Sequence, residues 1–175
     1  MDAHRRVNDD DVRLKRWRER DRPLLDLENT SGMTRYLGGV WTRTELDQRH
    51  RRLVDGGRRG AVRAFRILIE HARVPAGAVV FWRSGEGESA TAEMGWVVYR
   101  AHQGRGIATA AARRGVQTFL GDRAFGEVGA LHAYPRVDNV PSNAVARSAG
   151  FELVGPLVAP YRGQPFHVND WRISR

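Results

Sequence analysis

The sequence contains no cysteine. That excludes a disulfide framework, a thiol nucleophile and any cysteine-ligated metal site. Lysine is almost absent too: Lys15 stands alone among 29 basic residues, and the rest are arginine. No apolar run is long enough to span a bilayer. Met1–Asp11 is charged and lacks the apolar stretch of a secretory leader. The six histidines are dispersed without paired ligand spacing, so no metal site is expected. Together these absences point to a cytoplasmic protein that stays out of membranes.

What is present is a chain of 175 residues, 41% hydrophobic, with a net charge of +9. One domain of that size buries a core without staples. The charge has two readings. It is either a footprint for a polyanion, meaning nucleic acid or a phosphorylated cofactor, or the compositional mark of GC-rich coding, which enriches Arg, Ala, Gly and Val together. All four are plentiful and the arginines are scattered, which favours composition and disfavours a nucleic-acid partner.

Residues 1–11 read as a flexible arm and 12–175 as one domain. Val12 and Leu14 alternate with polar residues as a first strand. Pro23–Val40 is irregular, with room for one or two short helices. Thr44-Glu45 opens a helix that aligns Leu46, His50 and Leu53 and stops at Gly56-Gly57. Three strands follow as an antiparallel meander: Ala61–Glu70, Ala76–Arg83 and Ala92–Tyr99. His71-Ala72-Arg73 and Ser84-Gly85-Glu86-Gly87 provide the turns. The third strand divides Met94, Trp96 and Val98 from Glu93, Gly95, Val97 and Tyr99. From Gly106 the period becomes helical: Ala108, Ala112, Val116 and Phe119 or Leu120 recur, with Arg113, Arg114 and Gln117 opposite. A strand at Val128–Tyr134, a helix at Pro141–Ala149 stopped by Gly150-Phe151, and strands at Phe151–Leu157 and Phe166–Ile173 complete the chain. A loop with Pro160, Gly163 and Pro165 joins the last two. The order predicts an α/β (α+β) mixed sheet, mostly antiparallel, flanked by helices.

Two segments carry chemistry. Gln103-Gly104-Arg105-Gly106-Ile107-Ala108 lies between a strand end and a helix start. Its glycines permit positive φ and close approach of a ligand, and free N–H groups with the positive end of the helix dipole form an anion site suited to a pyrophosphate. It is neither a Walker A loop, since no Gly-Lys-Ser/Thr follows, nor a dinucleotide fingerprint. The second segment is Asn139-Val140-Pro141-Ser142-Asn143-Ala144-Val145-Ala146-Arg147-Ser148-Ala149-Gly150-Phe151, in which Asn139 can cap a helix.

In this order and spacing the two segments resemble the GCN5-related N-acetyltransferase (GNAT) family, with matches at Gln103, Gly106, Ala108, Asn139, Ser142 and Gly150-Phe151. The run Ser142–Arg147 is similar to the branch that acetylates the N-terminal amines of ribosomal proteins. The resemblance implies the single-domain acyl-CoA N-acyltransferase fold, with acetyl-CoA as cosubstrate and no metal. It implies a fourth strand that carries a bulge and splays from the fifth, where the pantetheine arm inserts. By resemblance, the main chain of Trp96, Val97 and Val98 holds that arm and the thioester carbonyl. Gly104, Arg105, Gly106, Ile107, Ala108 and Thr109 hold the pyrophosphate, and Asn139, Asn143 and Arg147 contact the remainder.

Transfer of an acyl group to an amine requires loss of the ammonium proton, a polarised thioester carbonyl and a protonated thiolate. A positioned acid or base supplies roughly 10²–10⁴-fold, and an oxyanion donor on the order of 10²–10³-fold. The main-chain amide of Val97 or Val98 is the candidate oxyanion donor. Many family members carry a tyrosine where this chain has Ala146, so Ser142 is the candidate thiol partner. Glu93 is the leading base, with Glu70 and His132 as alternatives. Tyr134, Trp41, Trp82, Trp96, Trp171 and Tyr161 are candidates for the cleft wall, and Pro23–Arg59 with Pro160–Pro165 for acceptor specificity. The acceptor is a peptide N-terminus, polyamine, aminoglycoside or other small amine, and monomer or homodimer is open. The competing expectations are a catalytically inactive CoA-binding or nucleic-acid-binding module on the same fold, and an enzyme for a longer acyl-CoA.

Overall fold

The computed structural model describes residues 6–56, 61–85 and 90–175. Gly57, Glu86 and Gly87, to which turns were assigned above, lie outside these segments. Seven strands form one mixed sheet: β1 (Val12–Arg16), β2 (Val62–Ile69), β3 (Val74–Ser84), β4 (Thr91–Val98), β5 (Ala130–Ala133), β6 (Glu152–Tyr161) and β7 (Gln164–Ser174). Their order across the sheet is β1-β2-β3-β4-β5-β7-β6. Among the described residues every neighbouring pair is antiparallel except β4 and β5. The helices are α1 (Leu24–Glu28), α2 (Ser31–Thr34), α3 (Arg43–Asp55), α4 (Ile107–Gly121) and α5 (Val140–Ser148).

Period-two alternation sends β-strand side chains to two layers. Ile67, Val79, Phe81, Met94 and Leu131 pack beneath α4, whose Ile107, Ala111, Ala112, Val116 and Phe119 complete that core. Leu120, the other option for that helical face, is 40% exposed and points away. On the opposite layer Ala64, Ala78 and Val80 meet Trp17, Leu25, Leu46 and Leu53. The α3 stripe Leu46, His50 and Leu53 is buried as its spacing predicts. The helix starts one residue earlier than expected, because Thr42 and Glu45 form a reciprocal capping box.

Three other boundaries shift. Residues 7–11, read as part of a flexible arm, are packed: Val7 is buried, its N–H bonds the Arg105 carbonyl at 2.8 Å, and Asp9 and Asp10 pair with Arg113 and Arg114 of α4. β5 is shorter than the apolar run around it. The last two strands are longer than expected and meet in a two-residue Arg162-Gly163 turn, so Pro160 and Pro165 sit opposite each other inside the hairpin. Counting one pair in from that turn gives a position where the partners exchange no N–H···O bond, and there a proline loses nothing.

Candidate functional site

The only parallel pairing among the described strands is also the shortest. β4 and β5 share Thr91↔Ala130, Ala92↔Leu131 and Glu93↔His132, and then part. Beyond that fork β4 continues alone on this side as Met94–Val98. The phase of its ladder follows from Tyr99, whose N–H bonds the Ala76 carbonyl at 2.8 Å. Counting back by two, Val97, Gly95 and Glu93 direct their main-chain groups to β3, whereas Trp96 and Val98 direct theirs into the gap. Val97 is therefore corrected as an oxyanion donor: its N–H belongs to the sheet, and the open amides are those of Trp96 and Val98.

The expected bulge in β4 is absent from its pairing with β3, which keeps register from Gly77↔Val98 to Ser84↔Thr91. The irregularity lies elsewhere. A register shift occurs at Ile67/Leu68 between β2 and β3, and the Val97 carbonyl leans over Gly77 so closely that a Cβ there would stand 2.0 Å from its oxygen. Residue 77 must lack a side chain for the end of β4 to lie as it does.

Below the fork, Gly104 and Gly106 take φ of +76° and +83°, and the chain enters α4 with no side-chain cap at Gly106. The first backbone bond of the helix runs from the Ala110 N–H to the Gly106 carbonyl. The N–H groups of Gly104, Gly106, Ile107, Ala108 and Thr109 thus bond no backbone carbonyl among the described residues. Successive unpaired donors at the positive end of a 15-residue helix suit an anion. The Gln103 side chain is tied to the end of β4. Its Nε2 donates to the Val98 carbonyl at 2.9 Å, so the side chain braces the loop against β4.

The fork opens into a cleft of about 600 Å³. Glu93, Trp96, Tyr134, Asn139 and Ser142 line it, together with Glu28, Arg49, Trp82, Tyr161 and Phe166. Glu93 is reached by solvent yet surrounded by protein at the fork, and this desolvation pushes its carboxyl above the ordinary glutamate range, with His132 opposing. Burial, reinforced by Asp170 and Glu93, pushes the Tyr134 hydroxyl up to about 12. Asn139 caps α5 by accepting the Ser142 N–H at 3.3 Å. The Ser142 hydroxyl bonds no protein group among the described residues, so it is free to serve a ligand in the cleft.

Other expected site residues are placed elsewhere. Asn143 has both its amide hydrogens and its oxygen engaged: Nδ2 donates to the Arg136 and Asn139 carbonyls, and Oδ1 accepts from Asn169 and from Trp171 Nε1 at 2.7 and 2.8 Å. It is a tie between α5 and β7 with no capacity left for a cofactor. Arg147 stands outside the cleft with its guanidinium 5.5 Å from the Trp171 ring centre. Glu70 lies at the far end of β2, paired to Arg13 at 2.8 Å. Trp171 is core and Trp41 lies behind the cleft under Arg49 and Arg162.

Three residues of the site were missed by sequence reasoning, two of them lining the cleft. Glu28 and Arg49, 3.4 Å apart, come from segments without a motif. Asp170, 2.7 Å from His132, shares the parity of the buried Phe166 and Val168 in the last strand, and an acid that follows two buried apolar residues on one face is a legible signal.

A mixed sheet forked at its one parallel pair, with a glycine-flanked helix start beneath the fork, is the architecture of the acyl-CoA N-acyltransferase fold. The family model described as "Acetyltransferase (GNAT) domain" matches residues 11–152, and the chain belongs to that family of acyltransferases. No curated protein sequence matches it. Solved structures do. A spermidine N-acetyltransferase from Vibrio cholerae, in complex with CoA and spermine, superposes with a TM-score of 0.76 at 18% identity over 94% of this chain and 96% of that one. RimL, the ribosomal L7/L12 alpha-N-protein acetyltransferase, gives 0.76 at 22% identity over 94% and 90%. The aminoglycoside acetyltransferase AAC(6')-Ib with coenzyme A gives 0.74 at 20% identity over 94% and 95%. At such identities the likeness establishes the fold. Among the described residues no three candidate ligands cluster for a metal, and no helix is long and apolar enough to cross a membrane.

Proposed function

We propose that this chain transfers the acetyl group of acetyl-CoA to a primary amine by direct attack in a ternary complex. The observation that carries the reading is the fork itself, where the open main-chain amides of Trp96 and Val98 face a gap beside a cleft that holds an unpaired carboxylate and an unpaired hydroxyl. The residues fit the cosubstrate. The open edge of β4 offers amide donors and the Trp96 carbonyl for an extended arm, and the amides of Gly104, Gly106, Ile107, Ala108 and Thr109 offer donors for a pyrophosphate.

Acetyl-CoA supplies the activated acyl carbon, and the chain does the rest. Glu93 accepts the ammonium proton, and burial raises its pKa, which makes the carboxylate a stronger base than an ordinary glutamate. The Trp96 or Val98 N–H stabilises the developing oxyanion. Ser142 donates a hydrogen bond to the departing thiolate. Ala146 is fully buried, so the position that carries tyrosine in many family members offers no acid here. That observation is what favours a non-catalytic CoA-binding module as the second reading.

The acceptor is proposed as a peptide N-terminus, a polyamine or an aminoglycoside, the classes on which the similar structures act. The test is thermal melting with acetyl-CoA and with ATP, followed by turnover on one amine from each class. A rise in Tm specific to acetyl-CoA, together with turnover, supports the reading. A rise without turnover supports the non-catalytic module, and no rise overturns both.

A further inference from the structure

The fork holds one titratable pair that the reaction outlined above does not use. His132 is the last residue of β5 paired to β4, and its register partner is Glu93. Partners in adjacent strands lie about 4.8 Å apart and project from the same face, so these two side chains leave the sheet together where the strands separate. The imidazole is fixed from its other flank. Its Nδ1 stands 2.7 Å from Asp170 Oδ1, and the two side chains are only 14% and 13% exposed. The Tyr134 ring stacks on it at 5.6 Å with the planes 16° apart.

A ring held in this way cannot turn over without losing Asp170. The carboxylate places the hydrogen on Nδ1 and leaves the lone pair on Nε2. Nε2 bonds no protein group among the described residues and is not sealed from solvent. The charged and titratable groups around the ring are Glu93 from β4, Asp170 and the register partner Arg172 from β7, and Tyr134 from β5 itself. A purely structural role explains this poorly. β5 and β7 are already joined by a backbone ladder from Ala130↔Ser174 to Ala133↔Trp171, and burying a polar pair is often no more stabilising than packing apolar groups of the same size.

Resting on the reading of Glu93 as acceptor of the ammonium proton, we propose that His132 and Asp170 form with Glu93 a relay that carries this proton out of the cleft. An amine N–H bond breaks as the Glu93 O–H bond forms. That O–H bond then breaks as the His132 Nε2–H bond forms, with Asp170 stabilising the imidazolium. Nε2 finally gives the proton to water, and no electrons change hands. Asp170 is a positioning residue that sets the tautomer. The relay resets the base while products still occupy the cleft.

The test is the pH profile of kcat and KM for the wild type, His132→Gln, Asp170→Asn, Glu93→Gln and the His132→Gln/Glu93→Gln double variant. His132→Gln is expected to lower kcat on the order of 10–10²-fold near neutral pH, at the lower edge of what a positioned acid or base supplies. The loss should shrink as pH rises, while the acceptor KM and the acetyl-CoA thermal shift stay unchanged. Asp170→Asn should show a smaller loss in the same direction. The double variant should be no slower than Glu93→Gln alone, because the steps are in series. Wild-type rates in both single variants, a pH-independent loss, or additive losses would overturn the relay. Failure of the wild-type protein to bind acetyl-CoA or to turn over would instead overturn the reading beneath it. Imidazole nitrogen NMR tests the relay without an acceptor: the neutral His132 ring should carry its hydrogen on Nδ1, and Glu93→Gln should shift the Nε2 resonance. A Nδ1 lone pair, or an Nε2 resonance indifferent to Glu93, would overturn it.

Discussion

Glu93 takes its chemistry from where the strands part. Protein around it raises its pKa, and the useful form of a base is the carboxylate. Activity should therefore rise with pH through a midpoint above the ordinary glutamate range. Glu93→Gln should abolish that limb and lower kcat by about 10²-fold, read from pH-rate profiles of the two proteins. Glu28 makes a different statement. It is 5% exposed, and desolvation raises its pKa although Arg49 opposes this. A carboxyl that holds its proton more tightly in the folded state than in the unfolded one stabilises the fold less as pH rises. Stability should fall as pH rises from about the ordinary glutamate value of 4.5 toward the raised folded value. Urea melts across that window should show the decline in the wild type and its loss in Glu28→Gln.

Helix α5 is positioned by one side chain more than by its own length of nine residues. Asn143→Ala would leave the Trp171 Nε1–H and the Asn169 amide without their partner. The expected cost is about 2–3 kcal/mol, read from denaturant melts, with a weaker acetyl-CoA shift because Ser142 rides on the same helix. Strand β4 depends on Gly77 in a similar way. Gly77→Ala forces the Val97 carbonyl away from a Cβ that would otherwise lie 2.0 Å from it. A loss of about 3 kcal/mol, toward the upper end for overpacking, should accompany a reduced acetyl-CoA shift, since the same displacement moves the open amides of Trp96 and Val98.

Over the whole molecule the net charge of +9 is spread rather than gathered. Arginines pair with acids at β1, α3, α4 and the β6–β7 turn, and others lie over Phe65, Tyr36, Phe125 and Phe166. A surface of that kind binds polyanions weakly. Acetyl-CoA at about 100 times its Kd should stabilise the protein by about 2.7 kcal/mol and persist in moderate salt. Duplex DNA should give no shift that survives physiological ionic strength. Calorimetry at two salt concentrations separates the two outcomes.

Local chemistry was legible wherever it repeats along the chain. The apolar alternation of β2 and β4, the continuous apolar run of β3, the helical stripe of α4, the stops at Gly56 and Gly150, and the glycine-flanked helix start at Gly106 follow from neighbours in sequence, because periodicity and positive φ are properties of a few adjacent residues. The two-layer mixed sheet followed from their order. Tertiary structure alone decided which groups face the cleft. The phase of a ladder gives the gap to Trp96 and Val98 and removes Val97. Partners on β7 consume Asn143. The Val98 carbonyl takes the side chain of Gln103. Glu28 and Arg49 reach the cleft, and Asp170 reaches His132, from segments far apart in sequence, around a fork that no local pattern encodes. Whether a polar side chain is committed to the scaffold or free for substrate depends on what lies opposite it in space.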